Sequence, residues 1–138
     1  MSVGAEVRSA MPSGCDDSPR LAWHSGQCHC GAVRFDFSSD LVRGVRCNCS
    51  YCVRKASLHH RVKAEFFILK SGADELSVYR FGTLRANHYF CRHCGIHTHC
   101  NPRSAPEQVN VNLNCVDEVA MMIPAIEVSA YDGRSWLA

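Results

Sequence analysis

The chain has 138 residues, 46% apolar and 20% charged, with a formal net charge of +2. That is enough for one domain with a real core. No run of about 18 apolar residues occurs, so an ordinary membrane-spanning helix is excluded. Lys and Arg are scattered rather than striped among aromatics, which argues against nucleic acid as a partner.

Residues 1–20 hold Gly4, Pro12, Gly14 and Pro19 among small and polar residues and read as a flexible N-terminal tail, with Cys15 as a free thiol. Glu6, Arg8, Asp16 and Asp17 interrupt any apolar stretch there, so no signal peptide is visible. Ten cysteines in such a chain fit metal binding in a reducing cytoplasm better than a secreted disulfide framework. A single zinc-binding domain is expected over residues 21–138.

Trp23-His24-Ser25-Gly26 runs into Gln27-Cys28-His29-Cys30-Gly31, and Ala32–Phe37 then alternates, with Val33, Phe35 and Phe37 on one face of a half-buried strand. Asp40 to Arg46 leads to Cys47-Asn48-Cys49-Ser50-Tyr51-Cys52, after which Ser50 would cap a short helical turn over Val53–Ala56. Phe66–Leu69 and Leu76–Phe81 read as strands, each ended near a glycine. Asn87–Phe90 feeds Cys91-Arg92-His93-Cys94-Gly95, and Ile96–Cys100 alternates again. Asn101–Pro106 is a loop, Val109–Asn114 the most regular strand, Ile126–Val128 a further strand and Asp132-Gly133 a turn. Many short strands and almost no helix predict an all-β domain.

The cysteine spacings carry the chemistry. Cys28/Cys30 (C-x-C) and Cys91/Cys94 (C-x-x-C) each offer two sulfurs from a tight turn followed by glycine, and together make a closed four-cysteine zinc site joining the sheet's two ends. Cys47, Cys49 and Cys52 form C-x-C-x-x-C with no pair left over. The fourth place there is open, or is taken by Cys100, Cys115, His59, His60, His93, His97 or His99. Catalytic zinc usually keeps three protein ligands and one exchangeable position, and so soft a donor set suits a thiol guest. With two Zn²⁺ ions and seven thiolates the formal charge falls by three, to about −1, so the basic balance is only apparent.

His24-x-Gly26-x-Cys28-x-Cys30-Gly31-x-Val33-x-Phe35, Cys47-x-Cys49-x-x-Cys52, Phe90-Cys91-x-x-Cys94-Gly95 and Val109-Asn110-Val111 occur in that order. This set resembles the glutathione-dependent formaldehyde-activating enzyme family, which includes centromere protein V relatives, from about Trp23 to Trp136. The resemblance implies a β-rich, Mss4-like zinc-binding fold, a structural zinc on Cys28, Cys30, Cys91 and Cys94, and a catalytic zinc on Cys47, Cys49 and Cys52. It also implies a carbon–sulfur lyase-type activity joining glutathione and formaldehyde as S-hydroxymethylglutathione.

The residues agree with that chemistry. A free thiol, with a pKa near 8.5, is mostly protonated at neutral pH, and zinc would hold it as the attacking thiolate. Three cysteine thiolates already bring zinc to −1, and a fourth weakens it as a Lewis acid, so the loop suits activation of a thiol rather than of water. His97 and His99 fall on one face of their strand and are the acid–base candidates, His97 foremost. Arg46, Arg54 and Lys55 flank the loop and would meet the carboxylates of an anionic thiol. The alternative is a non-catalytic zinc module that binds a thiol ligand or a protein.

Overall fold

The computed structural model describes residues 21–122 and 125–134; the expected tail and Cys15 lie outside them. The described residues form two sheets. The smaller is antiparallel, in the order β1 (Ala22–Gln27), β2 (Arg34–Ser39), β5 (Phe67–Ser71). The larger runs β10 (Glu127–Tyr131), β3 (Arg43–Cys47), β4 (His59–Val62), β9 (Val109–Asn112), β8 (His97–Asn101), β7 (Asn87–Cys91), β6 (Leu76–Tyr79). Helix is confined to α1 (Cys52–Lys55), α2 (Asp117–Met122) and short 3₁₀ turns. The expectation of a β-dominated, Mss4-like fold with few helical turns holds.

β2 explains why the sheets face each other. Its alternation points Phe35 and Phe37 inward, both wholly buried, against Leu58, Val111, Leu113 and Val119. Each such ring contributes about 1.5–3 kcal/mol of burial free energy. Gly26 stands opposite Phe35 in the β1–β2 register, and a Cβ there would lie 2.5 Å from the ring. A second cluster, Cys28, Val33 and Cys91 with Leu69 and Leu76, continues the core toward the cysteine knuckles.

Three strands and one helix depart from the sequence reading. β1, β3 and β4 lack a clean apolar alternation, and α2 lies in a stretch between Val109–Asn114 and Ile126–Val128 for which no element is expected. The turn after Cys49 is capped differently from the expectation for Ser50. Tyr51 is the N-cap, with no side-chain bond, and the Cys52 N–H points to Cys49 Sγ instead. β10 pairs parallel with β3, aligning Tyr131 with Cys47.

β8 holds an irregularity that governs the neighbourhood of the cysteine loop. Tyr89 pairs with His99 and Phe90 with His97, so one step on β7 meets two on β8 and Thr98 is the extra residue. The bulge separates the two histidines that alternation puts on one face. His99 packs among Phe67, Tyr89 and Phe35, whereas the His97 ring faces His59 and His88.

Candidate functional site

The two sheets meet at a four-cysteine cluster. Cys28 and Cys30 come from the β1–β2 turn and Cys91 and Cys94 from the β7–β8 turn, so the cluster joins the two sheets rather than two ends of one. All four sulfurs lie within 4.8 Å of one another. The Cys28–Cys30 and Cys30–Cys91 sulfur separations are both 3.7 Å, against an edge of about 3.8 Å for a tetrahedron with 2.3 Å bonds. The N–H groups of Val33 and His93 point to Cys28 Sγ and Cys91 Sγ, each at 3.4 Å. Gly31 and Gly95 take positive φ (85° and 80°), which turns the chain around the sulfurs without a Cβ penalty. The donor set fits a metal ion.

The loop from β3 to α1 brings Cys47, Cys49 and Cys52 within 4.8 Å of one another. The Cys49 N–H points to Cys47 Sγ (3.4 Å) and the Cys52 N–H to Cys49 Sγ (3.3 Å). Hydrogen bonds from the Cys47 and Cys52 thiols hold Cys49 far below the usual thiol range, while its contacts with Cys47 and Cys49 and its burial push Cys52 far above it. The opposed shifts reflect how closely the three sulfurs crowd one another, a pattern that also suits a metal ion. Among the described residues the group stops at these three cysteines. His59 approaches Cys52, Nε2 to Sγ 3.3 Å, without joining it.

A distant segment clasps this loop. Asn48 Oδ1 accepts the N–H groups of Gly133 (2.7 Å) and Arg134 (3.1 Å), and the Asn48 N–H donates to Tyr131 O (3.1 Å). Gly133 then lies so near the sulfurs that a Cβ there would sit 2.4 Å from Cys47 Sγ.

The three cysteines line a cavity of about 510 Å³, together with His59, His88 and Cys100. It is also lined by Arg61, whose guanidinium donates to Asn110 and Ser104 (both 3.1 Å), and by Arg103. Behind the loop the Lys55 Nζ is buried, 3.8 Å from the Tyr51 ring centre, with no hydrogen-bond partner among the described residues. Burial lowers its pKa to about 8, against the pull of Cys52, Cys100 and Cys49. Burial likewise pushes His59 and His88 down to about 4, so both imidazoles are neutral near pH 7.

The remaining sequence-predicted residues fall elsewhere. His97 is buried, is not among the cavity-lining residues, and has its pKa pushed down to about 2 by burial and by the Lys55 charge. His60 bridges Ser39 and the Arg43 carbonyl, and exposed His93 meets Glu75. Arg46 and Arg54 donate to loop carbonyls of Ala56 and Ser50. Cys115 is buried and donates to the His97 carbonyl. The sequence reading missed His88, Arg61, Arg103 and the Asn48–Gly133 clasp. A spacing of 85 residues leaves no local pattern for that clasp, and Asp132-Gly133 reads only as a turn.

A model of the family described as glutathione-dependent formaldehyde-activating enzyme matches residues 23–131. Among solved structures the chain is similar to the crystal structure of a Rhodobacter sphaeroides protein, at 36% sequence identity. That match has a TM-score of 0.71 and covers 78% of this chain and 99% of the other.

Proposed function

Because the chain belongs to the glutathione-dependent formaldehyde-activating enzyme family, we propose that it makes and breaks the carbon–sulfur bond of a thiol–aldehyde adduct. S-hydroxymethylglutathione, from glutathione and formaldehyde, is the first candidate. Residues 21–138 act as one zinc-binding domain, with a structural zinc on Cys28, Cys30, Cys91 and Cys94 and a catalytic zinc on Cys47, Cys49 and Cys52. The nine free cysteines among the described residues suit a reducing cytoplasm. The observation that carries the reading is three mutually close sulfurs set in the wall of a cavity large enough for a small peptide thiol.

Zinc at the loop would hold the guest sulfur as a thiolate at neutral pH. The sulfur lone pair then forms the bond to the aldehyde carbon, the carbonyl π pair moves to oxygen, and that oxygen takes a proton; the reverse releases thiolate and aldehyde. Lys55 opposes the negative charge that the thiolates accumulate, because Cys52 and Cys49 are among its electrostatic partners. With a pKa of about 8 it keeps most of its positive charge near neutrality, whereas buried His97 is neutral there. Arg61 and Arg103 supply positive charge on the cavity side where the carboxylates of glutathione would lie.

The test is exchange NMR with ¹³C-formaldehyde and glutathione. The wild type should speed adduct exchange above the spontaneous rate, and Cys49→Ser should abolish the gain. A wild type that adds nothing to the spontaneous rate, yet melts higher with glutathione, would replace the enzyme reading with a thiol-binding module.

A further inference from the structure

We propose that His59, His97 and Cys100 form a third metal site, for a first-row transition ion such as Zn²⁺, adjoining the three-cysteine loop and sharing no ligand with either cysteine cluster. Each residue places a ligand atom within 4.8 Å of the other two. Their exposures are only 5%, 5% and 2%. The arrangement comes from two strands that flank β9. β4 supplies His59, and the Thr98 bulge in β8 turns His97 away from His99 and toward His59.

The second observation is a deficit of partners. Both ring nitrogens of His97 and Nδ1 of His59 are buried with no hydrogen bond among the described residues. A buried polar atom left unsatisfied is destabilising, and an ion would give a partner to one ring nitrogen of each histidine. A neutral imidazole offers one lone pair, and an ion shared by two imidazoles and a thiol uses both lone pairs at once. His59 and Cys100 also line the cavity, so the ion's fourth position would face it.

Two imidazoles and one thiolate make a borderline donor set, suited to Zn²⁺ or Co²⁺. Binding releases the Cys100 thiol proton to solvent and leaves the site at +1, whereas zinc on three thiolates stands at −1. Lys55 is the opposing charge, an electrostatic neighbour of His59, His97 and Cys100. The thiolates of the adjacent loop offset it. Tetrahedral zinc needs donors about 3.4 Å apart, a spacing that lies within the 4.8 Å bound on the three ligand atoms. The site stands on its own residues and does not depend on the lyase reading.

The experiment counts zinc per full chain, saturated under reducing conditions and dialysed against metal-free buffer. Three equivalents are expected in the wild type. Two are expected in each of His97→Gln, Cys100→Ser and Cys49→Ser, and one in the Cys49→Ser/His97→Gln double variant. Two equivalents in the wild type, or three in both His97→Gln and Cys100→Ser, overturn the proposal. X-ray absorption on the wild type needs no variant to fold. Imidazole scattering at full loading is expected, because neither cysteine cluster contains histidine, and its absence overturns the proposal. Failure of Cys49→Ser alone to lose an ion would count against the three-cysteine site and leave this one standing.

Discussion

Gly133→Ala tests the clasp on the cysteine loop with a single methyl group. The added Cβ would lie 2.4 Å from Cys47 Sγ and 3.1 Å from Cys49 Cβ. An ordinary contact needs a further 1 Å or so, and metal–ligand distances tolerate only about 0.2 Å. Either Cys47 leaves the ligand set or the Asn48–Gly133 bonds open; overpacking of this kind costs about 1–3 kcal/mol. We expect the loop to lose its ion to a chelator at least 10-fold more readily, on the scale seen when the groups that hold metal ligands in place are removed, while the four-cysteine cluster keeps its own. The assay is chelator competition with a colorimetric zinc reporter, in which the fast release phase is the one that Cys49→Ser lacks. An unchanged fast phase in Gly133→Ala would refute the close packing of Gly133 on Cys47.

Other outcomes follow from the same geometry. Cys94→Ser should release one zinc and lower the melting temperature, since that cluster joins the two sheets; a melt equal to wild type would deny it a structural role. Phe35→Ala, at a wholly buried ring, should cost about 3–5 kcal/mol in urea unfolding. Lys55→Met should remove a basic limb near pH 8 from kcat/KM, because loss of the Lys55 proton would remove the charge that opposes the thiolates. His99 is buried with its pKa depressed to about 4 from 6.5. Below pH 6.5 the unfolded chain therefore takes up a proton that the folded chain refuses, and stability falls as pH drops from 6.5 to about 4, by about 3 kcal/mol in total. His99→Phe should remove that one-proton slope from acid unfolding curves.

What could be read from the sequence was whatever is local and periodic. Val33, Phe35 and Phe37 announce β2, Val109 and Val111 announce β9, and the spacing of seven cysteines groups them as the structure does. β10 was placed only approximately and its partner not at all, because all five of its residues are exposed and parallel pairing with β3 leaves no pattern. The separation of His97 from His99 rests on one extra residue in β8, which alternation cannot detect. Lys55 reads as a charge beside the loop that would meet a carboxylate, and only the packing against Tyr51 shows its Nζ to be buried.

The clasp also sets an order of assembly during synthesis. Cys47, Cys49 and Cys52 leave the ribosome almost together, so they can capture an ion while little else exists. Cys91 follows Cys30 by 61 residues and Gly133 follows Asn48 by 85. At about 5–20 residues per second, the loop waits roughly 4–17 s for its clasp. During that interval three adjacent thiols are open to any soft metal or oxidant in the cell. The three-cysteine loop is thus most exposed before the chain that walls its cavity has been made.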